Sequence, residues 1–204
     1  MSKLQQPKSD LLNINLAESA LLLIDVQMSF ALRDETGVSR SNPDAEANIT
    51  KLRRDCRKHG MTIMHIHHHS LDPNSPFRAT SPGSLVQAFA APLADEAVFI
   101  KHVNGAFIGT SLEKNLRESN IQNLLLCGAT ANHCLETTAR MAGNLGFNTL
   151  FLSDCVWAYG AQGPDSTKHS AELIHSVTLA NLHGEFAQVI KSVSYTHLTL
   201  PTKA

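Results

Sequence analysis

Cys134 stands where an apolar run gives way to a helical pattern. Residues 123–127 (NLLLC) read as a buried strand, and residues 128–143 (GATANHCLETTARMAG) as a turn followed by helical spacing. The first N–H groups of a helix have no partner within it. They favour a thiolate, and they can also receive the oxyanion of a tetrahedral intermediate. Two more reactive side chains end apolar runs: Asp25 closes 19–25 (SALLLID) and Lys101 closes 97–101 (AVFIK). A carboxylate can take a thiol proton and return it to a leaving group, and a neighbouring ammonium stabilises both anions. If these runs are parallel strands, all three groups lie beyond carboxyl ends, where open α/β sheets bind ligands.

The elements that would position them alternate along the chain. Strands are predicted over 19–25, 61–67, 97–101, 121–127, 148–154 and 186–190. Helices are predicted over 44–59, ended by Gly60, over 111–118, capped by Thr110 or Ser111, over 134–145, ended by Gly146, and over 168–183. Residues 72–83, rich in Pro, Ser and Asn, read as a long loop. Strands separated by helices predict a three-layer α/β/α sandwich around a mainly parallel sheet. Residues 1–192 form one domain on this reading. Residues 193–204 are set apart as a C-terminal tail, because the segment from Ser194 resembles a translated sequencing-adapter sequence.

Composition narrows the function classes. Seventeen Lys and Arg against eighteen Asp and Glu give a net charge of -1, with no basic footprint for nucleic acid. No apolar run is long enough to span a membrane, and the N-terminus lacks a secretory h-region, so a cytoplasmic location is expected. The four cysteines, Cys56, Cys127, Cys134 and Cys155, form no CxxC pair. Cys127 and Cys155 read as small buried hydrophobes, and Cys56 as structural or incidental. No GxGxxG follows the first strand, which disfavours a dinucleotide site.

Three motifs in order carry a family resemblance. They are 23–27 (LIDVQ) with Phe30, 101–110 (KHVNGAFIGT) with Leu112, and 128–134 with 138–142 (TARMA), followed by 145–147 (LGF) and Ser153–Asp154. Together they make residues 19–190 resemble an isochorismatase-like cysteine hydrolase, a superfamily that includes nicotinamidases, N-carbamoylsarcosine amidohydrolases and streptothricin hydrolases. The resemblance implies Cys134 as nucleophile, Asp25 as general base and acid, and Lys101 as third member. It implies a non-proline cis peptide between Ala129 and Thr130, and an oxyanion hole made by the N–H groups of Thr130 and Cys134. It also implies a non-peptide C–N hydrolase working through a thioester on a small-molecule amide, streptothricin-hydrolase-like in its branch, with no cofactor and with assembly as a homodimer or homotetramer. One departure stands out. The family commonly has threonine three residues before the cysteine, where this chain has Ala131.

The histidines at 65 and 67–69 are the most conspicuous cluster. On a strand, His65, His67 and His69 share one face and His68 the other. A His pair at i, i+2 can bind zinc, and nicotinamidases hold a metal in this region, so a metal-assisted amidase is the rival enzyme. Because the aspartate of their pair is missing, no metal is assigned, and His68 is read as a pocket residue. Phe30, Phe107, Trp157 and Tyr159 are the aromatic candidates for the pocket wall. Gln27 and Asn104 are read as orienting groups, Asn132 as a turn residue, and His169, His175 and His183 as solvent or interface residues. A third possibility is a non-catalytic protein in which Cys134 is only a reactive thiol.

Overall fold

The computed structural model describes residues 14–194. The tail predicted over 193–204 lies outside the described residues from position 195 onward. The central sheet has six strands: β1 (Ser19–Ile24), β2 (Thr62–His68), β3 (Ala97–Lys101), β4 (Asn123–Ala129), β5 (Asn148–Trp157) and, after the short strands below, β8 (Gln188–Ile190). Their order is β3-β2-β1-β4-β5-β8, and every pairing is parallel. The chain therefore builds outward from β1 in one direction, then returns to β4 and builds in the other. The crevice where the order reverses lies between the carboxyl ends of β1 and β4.

All six residues of β1 are buried, as a central parallel strand covered on both faces requires. Leu21 and Leu23 point into one core with Ile49, Leu52 and Cys56 of α2 (Ala45–Lys58). Ala20, Leu22 and Ile24 point into the other. There they join Leu112 and Leu116 of α3 (Leu112–Glu118), Ala139 and Ala142 of α4 (Glu136–Asn144) and Leu182 of α5 (Ala171–Leu182). The three-layer reading holds. Cys127 and Cys155 are fully buried in the first core, and Cys56 is buried beside α2's other apolar residues.

The structure also adds elements. Helix α1 (Met28–Glu35) follows β1 directly; the sequence reading passed over it because only Ser29 and Phe30 are buried on it. A two-stranded ribbon, β6 (Ala161–Gln162) with β7 (Lys168–His169), occupies the start of the segment predicted as the last helix. Ser170 caps α5 instead, accepting from Leu173 N–H at 3.1 Å. Thr110 Oγ1 accepts from Leu112 N–H at 3.3 Å at the start of α3.

Two local features shape the crevice. Gly128 has φ 122°, and a Cβ there would run into Ile24 O. Backbone of β1 and β4 thus approaches too closely for any side chain at this point. The β4–β5 register shifts between Leu126 and Gly128, where β5 carries the extra residues between Phe151 and Val156. Far from the crevice, Glu96 gathers a buried polar cluster. It accepts from Arg57 at 2.7 and 2.8 Å, from His65 Nε2 at 2.8 Å and from Leu93 N–H at 2.9 Å. Burial pushes the Glu96 carboxyl up, but these hydrogen bonds outweigh it and hold it at about 2.

Two outcomes are expected. Gly128→Ala loses roughly 2 kcal/mol or more of stability in urea unfolding, since it combines a disfavoured φ with a backbone collision. Glu96 stabilises the fold fully above its unfolded carboxylate range and stops doing so as pH falls toward about 2. Glu96→Gln should therefore flatten the acid limb of stability between roughly pH 4.5 and pH 2, as read from denaturation midpoints in that window.

Candidate active site

Asp25, Lys101 and Cys134 meet at the crevice. Asp25 follows the last residue of β1 with φ 53°, its N–H bonded to Ile66 O at 2.9 Å. Lys101 ends β3 and is fully enclosed. Its Nζ donates to Asp25 Oδ2 at 2.7 Å and to Val103 O at 3.2 Å, and lies 3.3 Å from both Cys134 Sγ and His68 Nδ1. Asp25 Oδ1 has no hydrogen-bond partner among the described residues. The carboxylate thus keeps one oxygen anchored and one unengaged acceptor beside the thiol.

Cys134 does not begin an α-helix. Ala131–Leu135 forms one wide π turn, and α4 starts at Glu136. Such turns recur at functional sites. Thr130 O accepts from His133 and Leu135 N–H at 3.2 and 3.3 Å, which ties the turn to the end of β4. The peptide between Ala129 and Thr130 is cis, as the resemblance implies. Ala131 is buried in the apolar core under α4, so a hydroxyl at that position would enter the core, whereas Thr130 reaches the pocket.

The electrostatics revise the expectation of a resting thiolate. Burial, then the Asp25 charge, push the Cys134 thiol up to about 12, and Lys101 offsets only part of this. Burial also raises the Asp25 carboxyl, against the pull of Lys101. At neutral pH the proton rests on sulfur.

Asp25 and Cys134 line a cavity of about 280 Å³, with Lys101 enclosed behind them. Phe30, His68, Thr130 and Tyr159 line it. Two expected wall residues do not. Phe107 stacks on Phe147 at 6.0 Å in the opposite core. Trp157 is fully buried and supports the wall from behind, edge-on to Phe30 at 5.9 Å. Phe107 lies six residues past the end of β3 and Trp157 is the last residue of β5, and each packs into a core instead. Asn104 lines the pocket, with its Oδ1 3.8 Å from Cys134 Sγ. Gln27 orients neither catalytic group. Its side chain spans from His68 N–H and C=O (2.8 and 3.0 Å) to Ser84 O (2.7 Å), fixing the end of β2 against the loop.

Sequence reasoning missed Arg33 and Phe77, which also line the pocket. Phe77 comes from the long loop and meets Phe30 at 5.1 Å and His68 at 5.6 Å. Arg33 lies one helical turn after Phe30 on α1. That i, i+3 spacing was the available signal once α1 is recognised. His175, expected at the surface, is buried with its Nδ1 3.1 Å from Ser41 Oγ.

The histidine cluster does not assemble a metal site. His65 is spent on Glu96 on the face away from the crevice. Burial holds His67 at about 4, and its Nε2 has no partner. Among the described residues no three His, Cys, Asp or Glu groups are placed to share an ion. Nor is any described helix long and apolar enough to cross a membrane.

The Isochorismatase domain family matches residues 19–192. The chain belongs to the isochorismatase family. It is 38% identical over 173 residues to the isochorismatase family protein YrdC of Bacillus subtilis, covering 85% of this chain and 91% of that one. A crystal structure of an isochorismatase-family hydrolase from Chromobacterium violaceum superposes with a TM-score of 0.86 at 33% identity, covering 91% of this chain and 95% of the other. At 25% identity over 186 residues the chain also resembles Nicotinamidase 3 of Arabidopsis thaliana, with 84% of each chain covered.

The ionisation order can be tested directly. Asp25→Asn removes a charge that raises the thiol, so Cys134 should alkylate several-fold faster with iodoacetamide near pH 8. An unchanged or slower rate in a folded variant would mean the Asp25 charge does not control the thiol.

Proposed function

We propose that this isochorismatase-family protein is a cysteine hydrolase that cleaves the C–N bond of a small-molecule amide, lactam or carbamoyl compound through a thioester. One observation carries the proposal: an enclosed ammonium lies 2.7 Å from a carboxylate and 3.3 Å from a thiol, and the carboxylate and thiol line a small pocket. Kinship to a nicotinamidase supports the amide class. The reading most like a streptothricin hydrolase remains one member of that class.

In the proposed cycle, the unengaged Asp25 oxygen takes the Cys134 proton as sulfur attacks the carbonyl carbon. The resulting oxyanion is held by the N–H groups of Thr130 and Cys134. On collapse the C–N bond breaks, and protonated Asp25 gives its proton to the leaving nitrogen, releasing ammonia or an amine. Asp25 then removes a proton from water, which attacks the thioester. The C–S bond breaks, the acid leaves and the thiol is restored. Lys101 holds Asp25 in place and offsets negative charge as it moves between oxygen and sulfur.

A release assay for ammonia or amine tests this. The panel holds nicotinamide, N-carbamoyl amino acids, biuret, maleamate and streptothricin-type lactams. Turnover on at least one compound is expected. Cys134→Ala should lower kcat by ~10³-fold or more, and Asp25→Asn by ~10²-fold or more even though its thiol ionises more readily. Full turnover in Cys134→Ala would sink the proposal.

A further inference from the structure

The charge balance of the pocket singles out Arg33. Asp25 is matched by Lys101 at 2.7 Å. Burial, followed by the Lys101 charge, holds His68 at about 4, so its imidazole is neutral at neutral pH. The Cys134 thiol is protonated in the resting site for the reasons given above. Arg33 is the permanently charged group in the lining that no described carboxylate approaches within ion-pair distance.

Its surroundings hold it in that state. The guanidinium carbon lies 3.9 Å from the centroid of the Tyr159 ring, and none of its N–H groups makes a hydrogen bond to a described residue. Tyr159 is itself fixed. Its hydroxyl bonds to Asp34 Oδ1 at 2.6 Å, and its ring stacks on Phe30 at 6.2 Å. The carboxylate next to Arg33 in sequence is therefore already taken, since Asp34 also pairs with Arg40 at 3.1 Å. Arg40, by contrast, is matched a second time by Glu46 at 3.1 Å. An arginine seated on an aromatic face, with its planar fork of donors unpaired, is suited to bidentate capture of a carboxylate.

We propose that Arg33 is the anion-binding group of this pocket, and that the substrate is a small amide bearing a carboxylate remote from the scissile carbonyl. The faces of Phe30, Phe77 and Tyr159 would hold the part between the two ends. The hydrolysis of that amide rests on the function proposed above, but recognition of its carboxylate does not.

Binding to the Cys134→Ala protein, measured by calorimetry, separates the two. The probes are maleamate and its neutral diamide, which differ only in the remote group. Maleamate should bind about tenfold or more tightly than the diamide. Arg33→Met in the same background keeps a stem on Tyr159 but should bring the ratio near unity, and Arg33→Lys should retain part of it. Far-ultraviolet circular dichroism and Tm verify that each variant is folded. Equal binding of the two probes, binding of neither, or a preference that survives Arg33→Met overturns the proposal. A chain that prefers maleamate through Arg33 yet hydrolyses nothing in the release assay would refute the reaction alone.

Discussion

An ammonium with no access to water must be matched by negative charge or lose its proton, because desolvation of an unpaired ion costs several kcal/mol. Lys101 is in that position, and Asp25 is its match. The pair does little for stability by itself, since a buried ion pair roughly repays its own desolvation. Its consequence is geometric. Once Lys101 is committed to Asp25 Oδ2 and Val103 O, the remaining reach of its Nζ is toward Cys134 Sγ and His68 Nδ1. One cation thus ties the ends of β1, β2 and β3 to the nucleophile turn after β4.

The sheet makes that meeting possible. β1 and β4 are neighbours although about a hundred residues separate them, and the order reverses between them. Gly128 lets the two backbones close at their carboxyl ends, and the π turn follows directly after Thr130. The wall opposite is aromatic. Trp157 supports Phe30 from within the core, and Phe30 meets Tyr159 and Phe77 at the surface of the pocket. Core packing and pocket shape are here one continuous stack, so changes to Trp157 act on the site without touching its contents.

Burial decides how the site handles its proton. A helix start in water would favour a thiolate. Here desolvation and the Asp25 charge exceed the help from Lys101. The resting site is therefore neutral at sulfur, and its neighbour Asp25 is a carboxylate whose own affinity for protons burial has raised.

The sequence alone determined the strand–helix alternation, the three reactive strand ends and the turn that carries Cys134. These are local properties: continuous apolar runs mark two-sided strands, and glycines and polar clusters mark their ends. It also placed Phe30, His68, Thr130 and Tyr159 near the chemistry, because they adjoin those strand ends. Only the tertiary structure decided which neighbours face the cavity. Phe107 follows β3 and Trp157 ends β5, yet each packs into a core and not into the cavity wall. Phe77 and Arg33 arrive from a long loop and from a short helix with little buried face, neither of which leaves a strong periodic signal. Whether a charged side chain meets its counter-ion depends on contacts between segments distant in the chain. Spacing along the sequence cannot show, therefore, that Lys101 is paired and Arg33 is not.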